Sequence, residues 1–183
     1  MAAVITRKNI PNFITSIRII GTICLLFIEA FTKNFFIVYT LAGITDVLDG
    51  YVARKMKLTS EFGAKLDSFS DLLFYTIMFV KIFPILYVRL PMIIWIAVGI
   101  ILCVRLSAYI IAALKYKRFA SLHTYMNKAT GAGVFLLPYI INTPALLPFS
   151  VMLSLVAGVA SMEELIIHIK NKEYNINAKS IRW

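Results

Sequence analysis

The chain has 183 residues, of which 60% are hydrophobic and only 15% are charged, and its mean hydropathy is +0.82. A soluble domain of this length has too little interior to bury so much apolar surface, so the composition excludes that class and indicates a membrane protein. The formal net charge of +10 does not indicate a nucleic-acid partner. The basic residues lie between apolar stretches, where anionic lipid headgroups explain them better.

Six apolar stretches are long enough to cross a membrane as helices. They cover residues 13–31, 34–53, 61–83, 92–114, 125–141 and 145–169. A basic lead-in and a break at Pro11 precede the first stretch, and basic turns follow the second and the fourth, at residues 54–57 and 115–124. We predict an all-α integral membrane protein with one six-helix domain over residues 1–170 and a polar C-terminal tail over 171–183.

The basic residues of the loops predict the orientation of these helices. With the N-terminus in the cytoplasm, the cytoplasmic segments hold Arg7, Lys8, Arg54, Lys55, Lys57, Lys115, Lys117, Arg118, Lys170, Lys172, Lys179 and Arg182. The outer segments hold Lys33, Lys81 and Arg89. This asymmetry is the usual one for membrane proteins, so we predict that both chain ends lie inside.

Several polar residues inside the apolar stretches carry weaker signals. Arg18 lies one turn inside the first stretch, where a charge is costly. It either extends toward the membrane interface or faces a lipid or nucleotide phosphate, and the sequence leaves both interpretations open. Cys24 and Cys103 lie within apolar stretches, so no disulfide framework is expected. His123 and His168 have no motif partner, and we interpret both as structural.

The strongest signal is an acidic motif that begins at the end of the second stretch. It follows the pattern D-x2-D-G-x2-A-R-x8-G-x3-D-x3-D, formed by Asp46, Asp49, Gly50, Ala53, Arg54, Gly63, Asp67 and Asp71. Helical spacing puts the first two aspartates on one face of one helix and the last two on one face of the next. Two helices joined by a short basic turn can therefore direct four carboxylates toward one point, at the predicted cytoplasmic side.

Four carboxylates near a membrane need a positive partner, because they repel one another and each is costly to bury. A salt bridge to Lys or Arg is the ordinary explanation for one such aspartate, but it is a poor explanation for four. Hard divalent cations prefer oxygen ligands of this kind. Two-metal sites hold ions about 3.5–4 Å apart and stabilise both the attacking and the leaving oxygen. The motif thus indicates a metal-assisted phosphoryl-transfer site.

The same pattern resembles, position for position, the signature of the CDP-alcohol phosphotransferase family. The resemblance implies an enzyme of the cell membrane with six transmembrane helices, usually a homodimer. Such enzymes transfer the phosphatidyl group of CDP-diacylglycerol to the hydroxyl of a second alcohol and release CMP in phospholipid biosynthesis. It implies two divalent ions, Mg²⁺ or Mn²⁺, with Asp46, Asp49, Asp67 and Asp71 as metal ligands. Asp71 would also be the general base.

The small and basic motif positions have their own expected role. Gly50, Ala53 and Gly63 fit close helix packing, but their place beside the carboxylates favours clearance for the CDP-alcohol. Arg54 belongs to the basic turn, and the resemblance favours a contact with the diphosphate. We therefore expect these residues to bind the CDP-alcohol.

The acceptor alcohol is predicted from basic residues on the later stretches. Arg105 lies three turns inside the fourth stretch, Lys128 begins the fifth and Arg118 lies in the loop between them. These cations suit a phosphorylated acceptor, so glycerol 3-phosphate is expected, with serine or an inositol phosphate as alternatives. The opening run NIPNFITSIRI resembles phosphatidylglycerophosphate synthases of the family, whereas the segment LDSFSD is similar to phosphatidylserine synthases.

A divalent-cation channel or transporter is the alternative from another class. It accounts for the carboxylates and for the membrane composition. It does not account for Gly50, Ala53 and Gly63 beside them, nor for apolar far halves of the helices, where a permeation path needs polar groups. The transferase interpretation is therefore preferred.

Overall fold

The computed structural model describes residues 10–56, 61–117, 124–171 and 180. Within its helices, the side chains of residues 10–12, 47, 49–56, 61, 62, 64, 65 and 68 lie outside the description. All regular structure in the described part of the chain is α-helical, as the sequence predicts. The helices are α1 Ile10–Phe27, α2 Lys33–Met56, α3 Glu61–Arg89, α4 Met92–Tyr116, α5 Tyr125–Ile140 and α6 Leu146–Lys170.

The described helices have the character of membrane segments. Three contain segments long and apolar enough to cross a bilayer, namely Phe69–Arg89, Met92–Tyr116 and Leu146–Lys170, and Phe13–Phe27 is a shorter apolar segment. Large apolar side chains are exposed along all six, as at Phe27 (85%) and Leu114 (77%). Contiguous exposed apolar surface is costly in water and favourable in lipid. The all-helical prediction is therefore confirmed, and among the described residues three of the six predicted spans contain a segment that meets the criteria of length and apolarity.

The chain forms two compact units, Met1–Ile85 and Leu86–Trp183. In the first, α1 packs against α2. The Tyr39 ring stacks between Phe35 on its own helix and Phe74 on α3, with ring centroids 5.8 and 5.4 Å apart. Lys81 of α3 donates a hydrogen bond to the carbonyl oxygen of Ile28 beyond the end of α1. These contacts tie the three helices of the first unit together.

The first helix ends earlier than predicted. The apolar stretch was expected to continue to residue 31, but α1 ends at Phe27. Phe31 has a φ of 65°, in the left-handed region that does not continue a helix. The Thr32 hydroxyl donates to the carbonyl oxygen of Glu29 and accepts from the Phe35 amide. This hydroxyl stabilises a turn and the start of α2.

In the second unit, α6 packs against both α4 and α5. Its buried face includes the small residue Ala160 and the polar pair Glu164 and His168. Gly133 of α5 faces α6 so closely that an added Cβ would lie 2.5 Å from a terminal methyl of Leu153. Small residues allow this approach in membrane helices.

Prolines interrupt the helices less than predicted. The third stretch was expected to end before Pro84, but α3 continues through it to Arg89. Pro138 lies inside α5, as the predicted fifth stretch already implied. Membrane helices tolerate proline because neighbouring groups satisfy the freed carbonyl. Pro11 lies in the first turn of α1, where its missing N–H is not needed. The predicted basic turn is shorter too, because residues 54–56 belong to α2.

Candidate active site

Three of the four motif aspartates converge in the first unit. Asp46 lies on α2, and Asp67 and Asp71 lie one turn apart on α3, so they share a face. One carboxylate oxygen of each lies within 4.8 Å of the others. The two halves of the motif are thus brought together by two helices that follow one another in the chain.

The guanidinium of Arg18 lies at this point of convergence. Its Nη1 donates to Asp46, and its Nη2 lies 2.6 Å from Asp67 Oδ1 and 3.2 Å from Asp71 Oδ1. Its Nε donates to the hydroxyl of Ser70 at 2.7 Å. One cation of α1 therefore contacts an oxygen of each of the three carboxylates, with charge-assisted hydrogen bonds to Asp46 and Asp67.

This finding contradicts one of the two sequence-based interpretations of Arg18, extension toward the membrane interface, whereas a contact with a phosphate stays a prediction. Its side chain is only 1% exposed, so it does not extend to the membrane interface, and its partners include the three carboxylates and the Ser70 hydroxyl. The three carboxylates are each about half exposed, at 46%, 46% and 45%. The cluster thus consists of a buried cation and three half-exposed carboxylates.

The donor set of this cluster fits a hard divalent cation. It offers one carboxylate oxygen from each of three side chains, and these oxygens lie within 4.8 Å of one another. Each of the three side chains is about half exposed, so an ion can approach them. Mg²⁺ is characteristically held by carboxylates together with substrate phosphates and water. The residues that would hold it are Asp46, Asp67 and Asp71.

The remaining motif residues are only partly visible. The backbone at Asp49, Gly50, Ala53 and Arg54 is helical within α2, which preserves the predicted spacing, but their side chains lie outside the described residues. Gly63 lies in the first turn of α3. Their predicted roles, including that of Asp49 as a fourth ligand, stay predictions.

The predicted acceptor residue Arg105 lies in a separate polar network of the second unit. Its Nη2 donates to Asn127 Oδ1 and, at 3.3 Å, to Glu164 Oε2. Asn127 Nδ2 donates to the same Glu164 oxygen at 3.0 Å. The Glu164 side chain is fully buried, and His168 Nε2 lies 4.0 Å from its other oxygen. Arg105 thus has a counter-ion within its own unit.

The start of α5 holds this network in place. Thr124 caps the helix by accepting a hydrogen bond from the Asn127 amide at 3.2 Å, so it fixes the turn that carries Asn127. Lys128 is exposed in the same turn. Arg118, the third predicted acceptor residue, lies outside the described residues.

Sequence reasoning missed the partners of both arginines. Ser70 is one of the variable positions between Asp67 and Asp71, and nothing in its spacing marks it. Glu164 carries a signal that was overlooked, because an acidic residue in an apolar stretch needs a partner. The only described arginine similarly deep in the later stretches is its observed partner, Arg105.

Comparison with known proteins identifies the family. The model of the CDP-alcohol phosphatidyltransferase family matches residues 8–167, which is most of the chain. The chain belongs to this family. The resemblance inferred from the acidic motif is thereby confirmed, and the match also covers the helices beyond the motif.

Individual relatives carry related names. A CDP-diacylglycerol–glycerol-3-phosphate 3-phosphatidyltransferase of Rickettsia typhi is 42% identical over 82 residues, which are 40% of this chain and 46% of the relative. A protein of the same name from Pseudomonas fluorescens is 27% identical over 174 residues, covering 88% of this chain and 89% of the relative.

A short segment of the chain also matches a relative that has a different name. A cardiolipin synthase and mitochondrial hydrolase fusion protein of Schizosaccharomyces pombe is 40% identical over 70 residues, which are 36% of this chain and 12% of the relative. The matched segments thus span less than half of the Rickettsia and Schizosaccharomyces proteins. No solved structure matches the chain with significance.

Proposed function

We propose that this protein transfers the phosphatidyl group of CDP-diacylglycerol to glycerol 3-phosphate and releases CMP. The observation that carries the proposal is the convergence of Asp46, Asp67 and Asp71 in a chain of the CDP-alcohol phosphatidyltransferase family. The names of the Rickettsia and Pseudomonas relatives support glycerol 3-phosphate as the acceptor. Family membership also favours a transferase over a cation channel.

The transfer requires one new bond and the loss of another. The acceptor hydroxyl oxygen attacks the phosphorus on the diacylglycerol side of the diphosphate. The bond from this phosphorus to the bridging oxygen breaks, and that oxygen leaves with CMP. Bound divalent ions would supply neutralisation of the diphosphate and of the leaving oxygen. The chain itself supplies the carboxylates, the orientation and a proton acceptor.

We assign the proton acceptor to Asp71. A carboxylate is a weak base for an alcohol, but the hydroxyl loses its proton only as the bond to phosphorus forms. The Asp71 side chain is about half exposed, so an incoming hydroxyl can reach its carboxylate. Asp46, Asp49 and Asp67 are assigned as metal ligands, and Asp71 is assigned as a ligand as well as the base. Gly50, Ala53, Arg54 and Gly63 are assigned to the CDP-alcohol.

Arg105 is proposed to bind the phosphate of the acceptor, with Lys128 and Arg118 contributing positive charge. Its side chain is 28% exposed, so part of it remains accessible while Asn127 and Glu164 orient its Nη2. A planar guanidinium held from one side is well suited to a phosphate. Glu164 offsets the positive charge of Arg105. The fixed orientation of the guanidinium therefore contributes more to the proposed phosphate binding than the net charge of the pair does.

The wider organisation is proposed from the loops and the family. We infer six membrane spans with both ends in the cytoplasm, a catalytic site at the cytoplasmic side of the cell membrane, and a homodimer. The basic loops support this orientation. Reporter fusions at residues 117 and 143 test it, because the first should report a cytoplasmic loop and the second an external one.

An acceptor panel tests the proposed function. Purified protein in detergent is given CDP-diacylglycerol, Mg²⁺ and either glycerol 3-phosphate, serine, an inositol phosphate or no acceptor. We expect CMP release with glycerol 3-phosphate and the corresponding lipid by mass spectrometry. If CMP is released only with serine or only with an inositol phosphate, that compound is the acceptor and glycerol 3-phosphate is not. No CMP release with any of them would contradict the proposal.

A further inference from the structure

Arg18 occupies the position toward which the carboxylates of the candidate active site converge. It approaches one oxygen of each of Asp46, Asp67 and Asp71. The arrangement is asymmetric, because the cation is 1% exposed and each carboxylate is about half exposed. A ligand that enters from the open side therefore meets carboxylates whose inner oxygens are already engaged.

We propose that Arg18 is a resident counter-ion of this cluster, which must release carboxylate oxygens before a divalent cation can bind them. Guanidinium and divalent cation thus compete for the same oxygens. The inference deepens the proposed function, since it concerns the same carboxylates. It is tested by metal binding and stability, which need no turnover.

Repulsion among the carboxylates makes a resident cation necessary. Three carboxylates within 4.8 Å repel one another strongly where water is partly excluded, so an isolated cluster would destabilise the folded chain. A cation held among them offsets one of the three negative charges in the absence of metal. The chain can therefore fold and enter the membrane before it acquires an ion. The same cation repels an incoming dication, so this stability comes at a cost in metal affinity.

The anchoring of Arg18 shows how the exchange can occur. Nε is held by the Ser70 hydroxyl at 2.7 Å, whereas the carboxylates are contacted by Nη1 and Nη2 at the end of the group. Because the guanidinium is planar and rigid, the terminal nitrogens leave the carboxylates only when the whole group rotates or shifts, and the Ser70 hydroxyl can rotate to follow Nε. Once released, the terminal nitrogens can donate to the oxygens of a diphosphate that enters with the metal.

Binding of Mn²⁺ to purified protein without substrate tests the proposal. We expect Arg18→Gln to bind Mn²⁺ about tenfold more tightly than wild type by titration calorimetry, the size of a typical coupling between competing ligands. In EDTA the same variant should unfold at a lower temperature than wild type. Its stabilisation by saturating Mg²⁺ should be larger.

Lys81→Gln is the matched control, because Lys81 is also a cation of the first unit but contacts a backbone carbonyl, not the cluster. Its Mn²⁺ affinity should equal that of wild type. Arg18→Lys, which keeps the charge with fewer donors, should give an intermediate affinity and serves if the Gln variant does not fold.

Three results would overturn the proposal. Weaker Mn²⁺ binding in the Arg18 variants would show that Arg18 arranges the carboxylates for the ion and does not compete with it. Unchanged affinity would show that the ion uses other oxygens. Absence of Mn²⁺ binding by wild type would show that no divalent cation competes with Arg18. If wild type lacks transfer activity but the Arg18 variants still bind Mn²⁺ more tightly than wild type, only the proposed function is contradicted.

Discussion

Nη2 of Arg105 lies 3.3 Å from Oε2 of Glu164, a carboxylate that is completely buried. The arginine predicted to bind the acceptor is therefore also half of an ion pair. A buried pair contributes little net stability, but removing one partner is costly. The structural and the functional role of Arg105 must consequently be separated by experiment.

Arg105→Gln should raise the KM for glycerol 3-phosphate by about one to two decades, because a charge-assisted hydrogen bond to phosphate contributes roughly 1.5–3 kcal/mol. The KM for CDP-diacylglycerol should change much less, since its phosphates are assigned to the carboxylate-bound ions. Arg89→Gln is the control, because Arg89 donates to the Ile141 carbonyl. Steady-state kinetics measures both constants.

The acceptor assignment has a clear contrary result. If Arg105→Gln and Lys128→Gln both leave the acceptor KM within about threefold of wild type, no phosphate-binding cation has been removed. The phosphorylated-acceptor assignment would then be wrong, and serine would become the leading candidate.

Glu164→Leu should lower the free energy of unfolding by about 1–3 kcal/mol, because Arg105 and Asn127 lose a shared acceptor. The double variant Arg105→Met/Glu164→Leu should recover much of this loss, since it removes both charges. Thermal unfolding in detergent measures the stability of wild type, the two single variants and the double variant. A double variant that regains stability but keeps a raised acceptor KM separates the two roles of Arg105; a normal KM in that variant would show that Arg105 is structural only.

Asp67→Asn should abolish transfer while leaving the protein in the membrane, because it preserves the side-chain shape and removes one ligand charge. Activity is measured at saturating Mg²⁺, and the amount of inserted protein is compared with wild type. More than about a tenth of wild-type activity would contradict the assignment of Asp67 as a ligand.

Asp71→Asn should reduce the rate of the chemical step more than it reduces metal affinity, because the other carboxylates still hold the ions. Single-turnover rates and Mn²⁺ titration measure the two effects separately. Full recovery of the rate at high Mg²⁺ or Mn²⁺ would show that Asp71 is a ligand without a role as base.

Much of the fold was predictable because membrane helices follow composition closely. The apolar stretches gave the six described helices in order, and helical spacing placed Asp67 and Asp71 on one face. The ends were less predictable. The first helix ends at Phe27, four residues before the apolar stretch ends, and the third helix continues through Pro84, and hydropathy alone marks neither.

The partners of the charged residues were not predictable from local pattern. Arg18 lies 28 residues before Asp46 in the chain, and Arg105 lies 59 before Glu164. Such contacts depend on which helix faces pack together, which spacing within one helix does not specify. The motif did predict that Asp46, Asp67 and Asp71 lie together, because its two halves lie on consecutive helices, whereas the predicted position of the Asp49 carboxylate stays a prediction.

The most direct test of the central claim uses glycerol 3-phosphate labelled with ¹⁸O in the attacking hydroxyl. The label is expected in the new phosphodiester of the product lipid, and the released CMP should be unlabelled, because the acceptor oxygen forms its bond to the diacylglycerol-side phosphorus. Mass spectrometry of both products decides the question. Release of phosphatidic acid with the label in a cytidine-containing product would place the attack on the other phosphorus and contradict the account.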